Sequence, residues 1–178
     1  YSRKVTTSSP EAQIWFDRGL MWLYGYNFEA AVSCFEKAVA ADPACVMAHW
    51  GVAYGVGCNY NKEWWVFSPK MVARAMKQAR TAIVAAGEHL AGVTAVEAAL
   101  VRAVEKRFQA EGSHEEAVLL GWNDEYANAM REVYNSFPDD FDVAAFFAES
   151  LMNRTPWQLW DLATGEPAEG ADTEEAIA

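Results

Sequence analysis

Cap residues followed by proline punctuate this chain, and strand signals are nearly absent from it. Ser9-Pro10, Asp42-Pro43 and Ser68-Pro69 each pair a side-chain acceptor with a residue suited to open a helix. The cap oxygen takes a free N–H of the first turn, and proline there loses no hydrogen bond. Thr94-Ala95-Val96-Glu97 and Ser113-His114-Glu115-Glu116 have the spacing of capping boxes, and Asp140 offers another cap. These signals predict helices ending near Tyr24, Ala41, Val56, Gly87, Phe108, Asn135 and Asn153, and Asp172-Thr173-Glu174-Glu175 opens an eighth.

The expected fold class is therefore all-α, with seven helices and the start of an eighth. Short turns between them predict antiparallel hairpins over about 10–41, 43–87, 94–136 and 140–178, with long inner loops at 57–67 and 154–171. A hairpin cannot bury its apolar face alone, so its neighbours must stack on it. The 178 residues are 52% hydrophobic, which supplies a core and excludes a disordered chain.

A net charge of −11 repels phosphate backbones, so no nucleic acid is expected as a partner. The one basic cluster, Lys70, Arg74, Lys77 and Arg80, shares a helix face and reads as solvated. No apolar run approaches the ~18 residues of a membrane span, so no membrane is expected either. Cys34, Cys45 and Cys58 cannot build a disulfide framework and fit a reducing, cytoplasmic compartment. The chain opens on Tyr1 and stops inside a helical turn at Ala178, so it reads as a piece of a longer protein, truncated at its C-terminal end.

Trp15, Gly19, Trp22, Ala31, Phe35, Ala38 and Pro43 form the most specific pattern. Gly19 and Ala31 let two helices approach closely, the aromatics fill the space around them, and Pro43 stops the second helix. In this run the sequence resembles the tetratricopeptide-repeat (TPR) family, whose unit is ~34 residues long. Arg18 stands where that family has Leu, and Trp22 stands for its Tyr. Val52 and Ala53 match a second unit, residues 94–138 a looser third, and Phe147, Ala148 and Leu151 a fourth.

The resemblance implies a right-handed α-α superhelix, a TPR-like solenoid. It also implies a concave face lined by Gln13, Phe16, Leu20, Leu23, Met47, Trp50, Tyr54, Cys58, Asp142, Ala145, Glu149 and Asn153. Relatives that hold the acidic tails of chaperones use Lys, Arg and Asn there. Asp17 and Leu20 stand at Asn positions here, so that role is not expected.

The resemblance implies a scaffold for a protein or peptide, using the concave face and the edge where the long loops emerge. The candidate contact residues are His49, Trp50, Tyr54, Asn59, Asn61, Trp64, Trp157, Trp160 and Asp161. Aromatics beside amides and a carboxylate suit recognition, although tryptophans in long loops also serve as plugs over a core. The alternative is a small-molecule or enzymatic pocket between the two Trp-rich loops, gathering His49, Asn59, Asn61 and Asp161. Cys45, His49 and Cys58 lack the spacing of a metal site. No phosphate loop, nucleophile elbow or HExxH is present, so neither catalysis nor a cofactor is expected.

Overall fold

The computed structural model describes residues 1–178 and is built from helices alone, apart from two isolated β-bridges. Eight α-helices follow in chain order: α1 (Pro10–Tyr24), α2 (Phe28–Ala41), α3 (Val46–Gly55), α4 (Pro69–Gly87), α5 (Ala95–Glu105), α6 (Glu116–Ser136), α7 (Phe141–Met152) and α8 (Thr173–Ile177). Each packs on the next, and α3 also touches α1 and α5. No helix is long and apolar enough to cross a membrane.

Most of the punctuation acts as its chemistry predicts. Ser9 caps α1, Ser68 caps α4, and the Thr94–Glu97 capping box is closed in both directions. Asp140 accepts the N–H groups of Asp142 and Val143 at the start of α7. Two expectations fail. Asp42 ends α2 and spends its carboxylate on the Ala44 N–H, so α3 begins at Val46 behind Cys45 rather than at Pro43. Ser113 forms no box, and α6 starts behind Glu115 without a side-chain cap. Glu97 works because Thr94 sits three residues before it with an extended backbone; Ser113 lies a turn too early.

The first three helices close around one ring. A Cβ added at Gly19 would lie 2.6 Å from Phe35, and one at Gly51 would also lie 2.6 Å from it. Phe35 is fully buried between these two glycines, one on each flanking helix. Arg18, the departure from the repeat pattern, is exposed and lays its guanidinium 4.7 Å from the centre of the Trp15 ring.

Most of the residues expected to line a concave face are core rather than open surface. Phe16, Leu20, Leu23, Met47, Trp50, Tyr54 and Cys58 are all buried. Two pieces of the chain cover them. Phe146 of α7 packs on Tyr24, Trp50 and Tyr54, with ring centres 5.8, 4.8 and 5.3 Å away. Residues 1–9 form a non-helical arm whose Val5 joins the same core. So many apolar side chains on one face could not stay wet, and the chain buries them itself.

Candidate functional site

The arm is held like an extended peptide on an acidic track. Tyr1 donates its hydroxyl to Asp142 at 2.6 Å, and the Ser2 hydroxyl and Arg3 N–H reach Asp17 at 2.6 and 3.1 Å. The Arg3 guanidinium forks onto Asp140 and also meets Asp142, each contact at 2.7 Å. Further along, the Val5 N–H donates to Gln13, and Gln13 donates back to the Arg3 carbonyl. Thr6 gives both its N–H and its hydroxyl to Glu97, and Thr7 gives its hydroxyl to Asp42. The track runs from α7 along α1 to α5 and the end of α2.

Its electrostatics follow from these bonds. Burial raises the Asp140 carboxyl, but the donated bonds of Arg3, Val143 and Asp142 outweigh it and leave it below its ordinary value. Glu97 is likewise lowered, because burial is outweighed by the bonds from Thr6 and Thr94. The Tyr1 hydroxyl is pushed up to about 12 by burial and by Asp142.

A second cluster lies inside, where α3, α5, α6 and α7 meet. Arg107 is 1% exposed, donating Nη2 to the Cys58 carbonyl at 2.7 Å and to Cys58 Sγ at 3.0 Å. Its Nε reaches Asn123 Oδ1 at 3.3 Å, which also accepts from Trp64 Nε1 at 3.3 Å. The guanidinium carbon stands 5.9 Å from the Tyr54 ring centre and 5.2 Å from that of Tyr126. Tyr54 donates to Glu149 Oε2 at 2.7 Å, and Asn153 Nδ2 donates to Glu149 Oε1 at 2.5 Å. Burial raises the Cys58 thiol, with Arg107 and Asn123 pulling it back only in part, so it stays protonated near neutrality.

The long loops meet above this cluster. Tyr60 of the first packs on Trp157 of the second, with ring centres 5.1 Å apart. Trp157 takes a left-handed backbone, φ 62°, which an aromatic residue adopts rarely. Trp64 is a plug, buried against Phe67 and Phe108. Its neighbour Trp65 is exposed, as are Trp157, Trp160 and Leu162.

The predicted contact residues therefore divide. Trp50, Tyr54 and Trp64 are buried in the core and present no free surface. Asn59 is buried too, and caps its own turn by accepting the Asn61 N–H at 3.0 Å. His49 faces away, donating Nε2 to the Pro43 carbonyl at 2.8 Å and lining a depression of about 710 Å³ with Glu36, Arg74 and Lys77. Asp161 is exposed and accepts the Ala163 N–H at 2.8 Å within its own loop. His49, Asn59 and Asp161 each bond to nearby backbone and Asn61 is exposed, so no hydrogen bond joins these four side chains to one another. Cys45, His49 and Cys58 also have separate surroundings. Asn153, which with Arg154 and Thr155 matches an N-glycosylation acceptor, is buried on Glu149 and closed to modification.

Sequence reasoning missed Arg107, Asn123 and Tyr126. The signal was register: Arg107 lies three residues past Val104 and seven past Leu100, on the buried stripe. Asn123 and Tyr126 likewise share the stripe of Leu119 and Met130.

The chain matches no known family profile, no curated protein and no solved structure.

Proposed function

We propose that this chain is a TPR-like helical-repeat scaffold that binds an extended, basic and hydroxyl-bearing peptide segment of a protein partner. The observation that carries this reading is the arm itself. A stretch with the sequence Tyr-Ser-Arg-Lys-Val-Thr-Thr is read by Asp142, Asp17, Asp140, Gln13, Glu97 and Asp42 through side chains and backbone. An acidic track that recognises its own arm in this way can recognise a similar segment of another chain. The overall charge of −11 works in the same direction, since it draws a basic segment in. The exposed Trp65, Trp157, Trp160 and Leu162 give the loop edge a second contact surface, in keeping with anchors of aromatic type.

The test uses one substitution in two places. Arg3→Ala in the protein loosens the arm, so a labelled Tyr-Ser-Arg-Lys-Val-Thr-Thr-Ser peptide should bind that variant more tightly than the parent chain. The same Arg→Ala change in the peptide should weaken its binding by roughly tenfold or more, the worth of a charge-assisted bond. Failure of the peptide to bind the Arg3→Ala protein would remove this reading.

A further inference from the structure

The interior cluster holds more polar atoms than it satisfies. Arg107 Nη1, Tyr126 Oη, Trp50 Nε1, Asn153 Oδ1 and Thr155 Oγ1 are buried with no hydrogen-bond partner. Such groups are uncommon, because each gives up its bonds to water and gains none in return. Five in one protein would be unremarkable if scattered. Here Tyr126 flanks Arg107, Asn153 binds Glu149, Thr155 follows two residues later, and Trp50 stacks on Tyr54 at 5.2 Å.

Charge sharpens the picture. Arg107 is buried, and none of the ion pairs includes it. Burial lowers its pKa but Cys58 and then Glu149 raise it, and both Glu149 carboxylate oxygens are already turned to Tyr54 and Asn153. A guanidinium edge and a tyrosine hydroxyl, both free to donate, are the partners a carboxylate takes. At the other end, Glu149 and the free Asn153 oxygen accept, beside the faces of Trp50 and Tyr54. Acceptors beside aromatic faces are what an ammonium group takes. One positive and one negative side chain leave the cluster neutral, so a ligand of no net charge adds no buried charge.

We propose that this interior cluster is a binding site for a small zwitterion of the amino-acid class. Arg107 and Tyr126 hold its carboxylate; Glu149 and Asn153 hold its ammonium group. Glu149 and Thr155 are the members that retain partial exposure, which places the way in beneath the second loop. The Tyr60–Trp157 contact lies across the two loops that must part to admit it. The proposal is independent of the peptide reading, because the hydrogen bonds of the arm go to Asp142, Asp17, Gln13 and Glu97 and to none of these residues.

The test is thermal unfolding and calorimetry of the whole chain with single amino acids, each set beside the matched amine and the matched deaminated acid. At least one amino acid should raise Tm, and its amine and acid should each bind about tenfold weaker or worse. Tyr126→Phe removes only an unpartnered hydroxyl. It should keep the Tm of the free protein and bind the amino acid roughly tenfold more weakly. Three results overturn the proposal: no amino acid shifts Tm, so that the cluster holds water only; the acid binds as well as the amino acid; or Tyr126→Phe binds unchanged. Arm variants such as Arg3→Ala should leave amino-acid binding intact, which separates this outcome from that of the peptide test.

Discussion

Two seams hold this molecule together, and they are built on opposite principles. In the first, Phe35 is wedged between Gly19 and Gly51, with Phe16 5.6 Å from it and no polar side chain needed. In the second, Arg107 ties the Cys58 turn to Asn123 and stands over Tyr54 and Tyr126. The first is specified by shape, the second by hydrogen bonds. A shape seam has one solution and no vacancy; a polar seam can leave partners over, and this one does.

Breaking the first seam should have the largest effect. Phe35→Ala removes a buried ring that three helices enclose, and should cost about 3–5 kcal/mol in urea unfolding. Gly51→Ala should cost about 1–3 kcal/mol by overpacking, since its Cβ would fall 2.6 Å from the ring. Combining Gly51→Ala with Phe35→Leu should cost less than the sum of the two, because a smaller side chain frees the room the new methyl takes. Additive costs would mean that the ring and the glycines are not one packing unit.

The polar seam should respond unevenly. Arg107→Leu leaves the buried Cys58 carbonyl without its donor and takes one donor from Asn123 Oδ1, which keeps Trp64, and should cost about 2–4 kcal/mol. Tyr126→Phe, one helix away, should be nearly neutral because its hydroxyl has no partner to lose. Equal losses at the two positions would show that Tyr126 has a structural bond.

The contrast also explains what was legible in the sequence. Half of the shape seam was legible, since Gly19 and Phe35 belong to the repeat-like run from Trp15 to Pro43; its other wall, Gly51, lies on a third helix and emerges only from the packing. The caps at Ser9, Ser68, Thr94 and Asp140 were equally readable, because a cap is a local bond between neighbours in sequence. The polar seam joins residues 58, 107, 123 and 149, which no local rule connects. Glu105-Lys106-Arg107 reads as a charged, solvated helix end until the register of Val104 and Leu100 is followed. The covering of the expected concave face was hidden for another reason: an arm without periodicity, residues 1–9, gives no structural signal of its own. Trp50 and Tyr54 therefore looked like a partner surface although α7 already occupies it.

A smaller effect should come from acid. Glu97 and Asp140 have lowered pKa values in the folded chain, so their bonds stabilise it above the ordinary carboxylate values of 4.5 and 3.8. That contribution is lost as pH falls through the lower, folded values. Urea midpoints should therefore drop below about pH 4.5, and Glu97→Gln should flatten part of that drop. At neutral pH the same substitution should cost about 1–2 kcal/mol, since Thr6 and Thr94 lose a charged acceptor. A flat midpoint from pH 7 to acid in the parent chain would show that the arm is not held by these carboxylates.

The smallest effect is expected where neither seam reaches. Trp64 and Trp65 are adjacent, yet Trp64 is 3% exposed and Trp65 48% exposed. Trp64 donates to Asn123 and so belongs to the polar seam, whereas Trp65 has no hydrogen bond to lose. Trp64→Ala should cost about 3 kcal/mol, in line with the polar seam, and Trp65→Ala should stay within about 0.5 kcal/mol. The pair then separates stability from recognition at neighbouring positions. If the loop edge takes part in holding a partner, Trp65→Ala should weaken partner capture while its urea midpoint stays at the parent value. A midpoint that falls with capture would make Trp65 part of the fold, and the loop edge would lose its claim to be a surface for anything else.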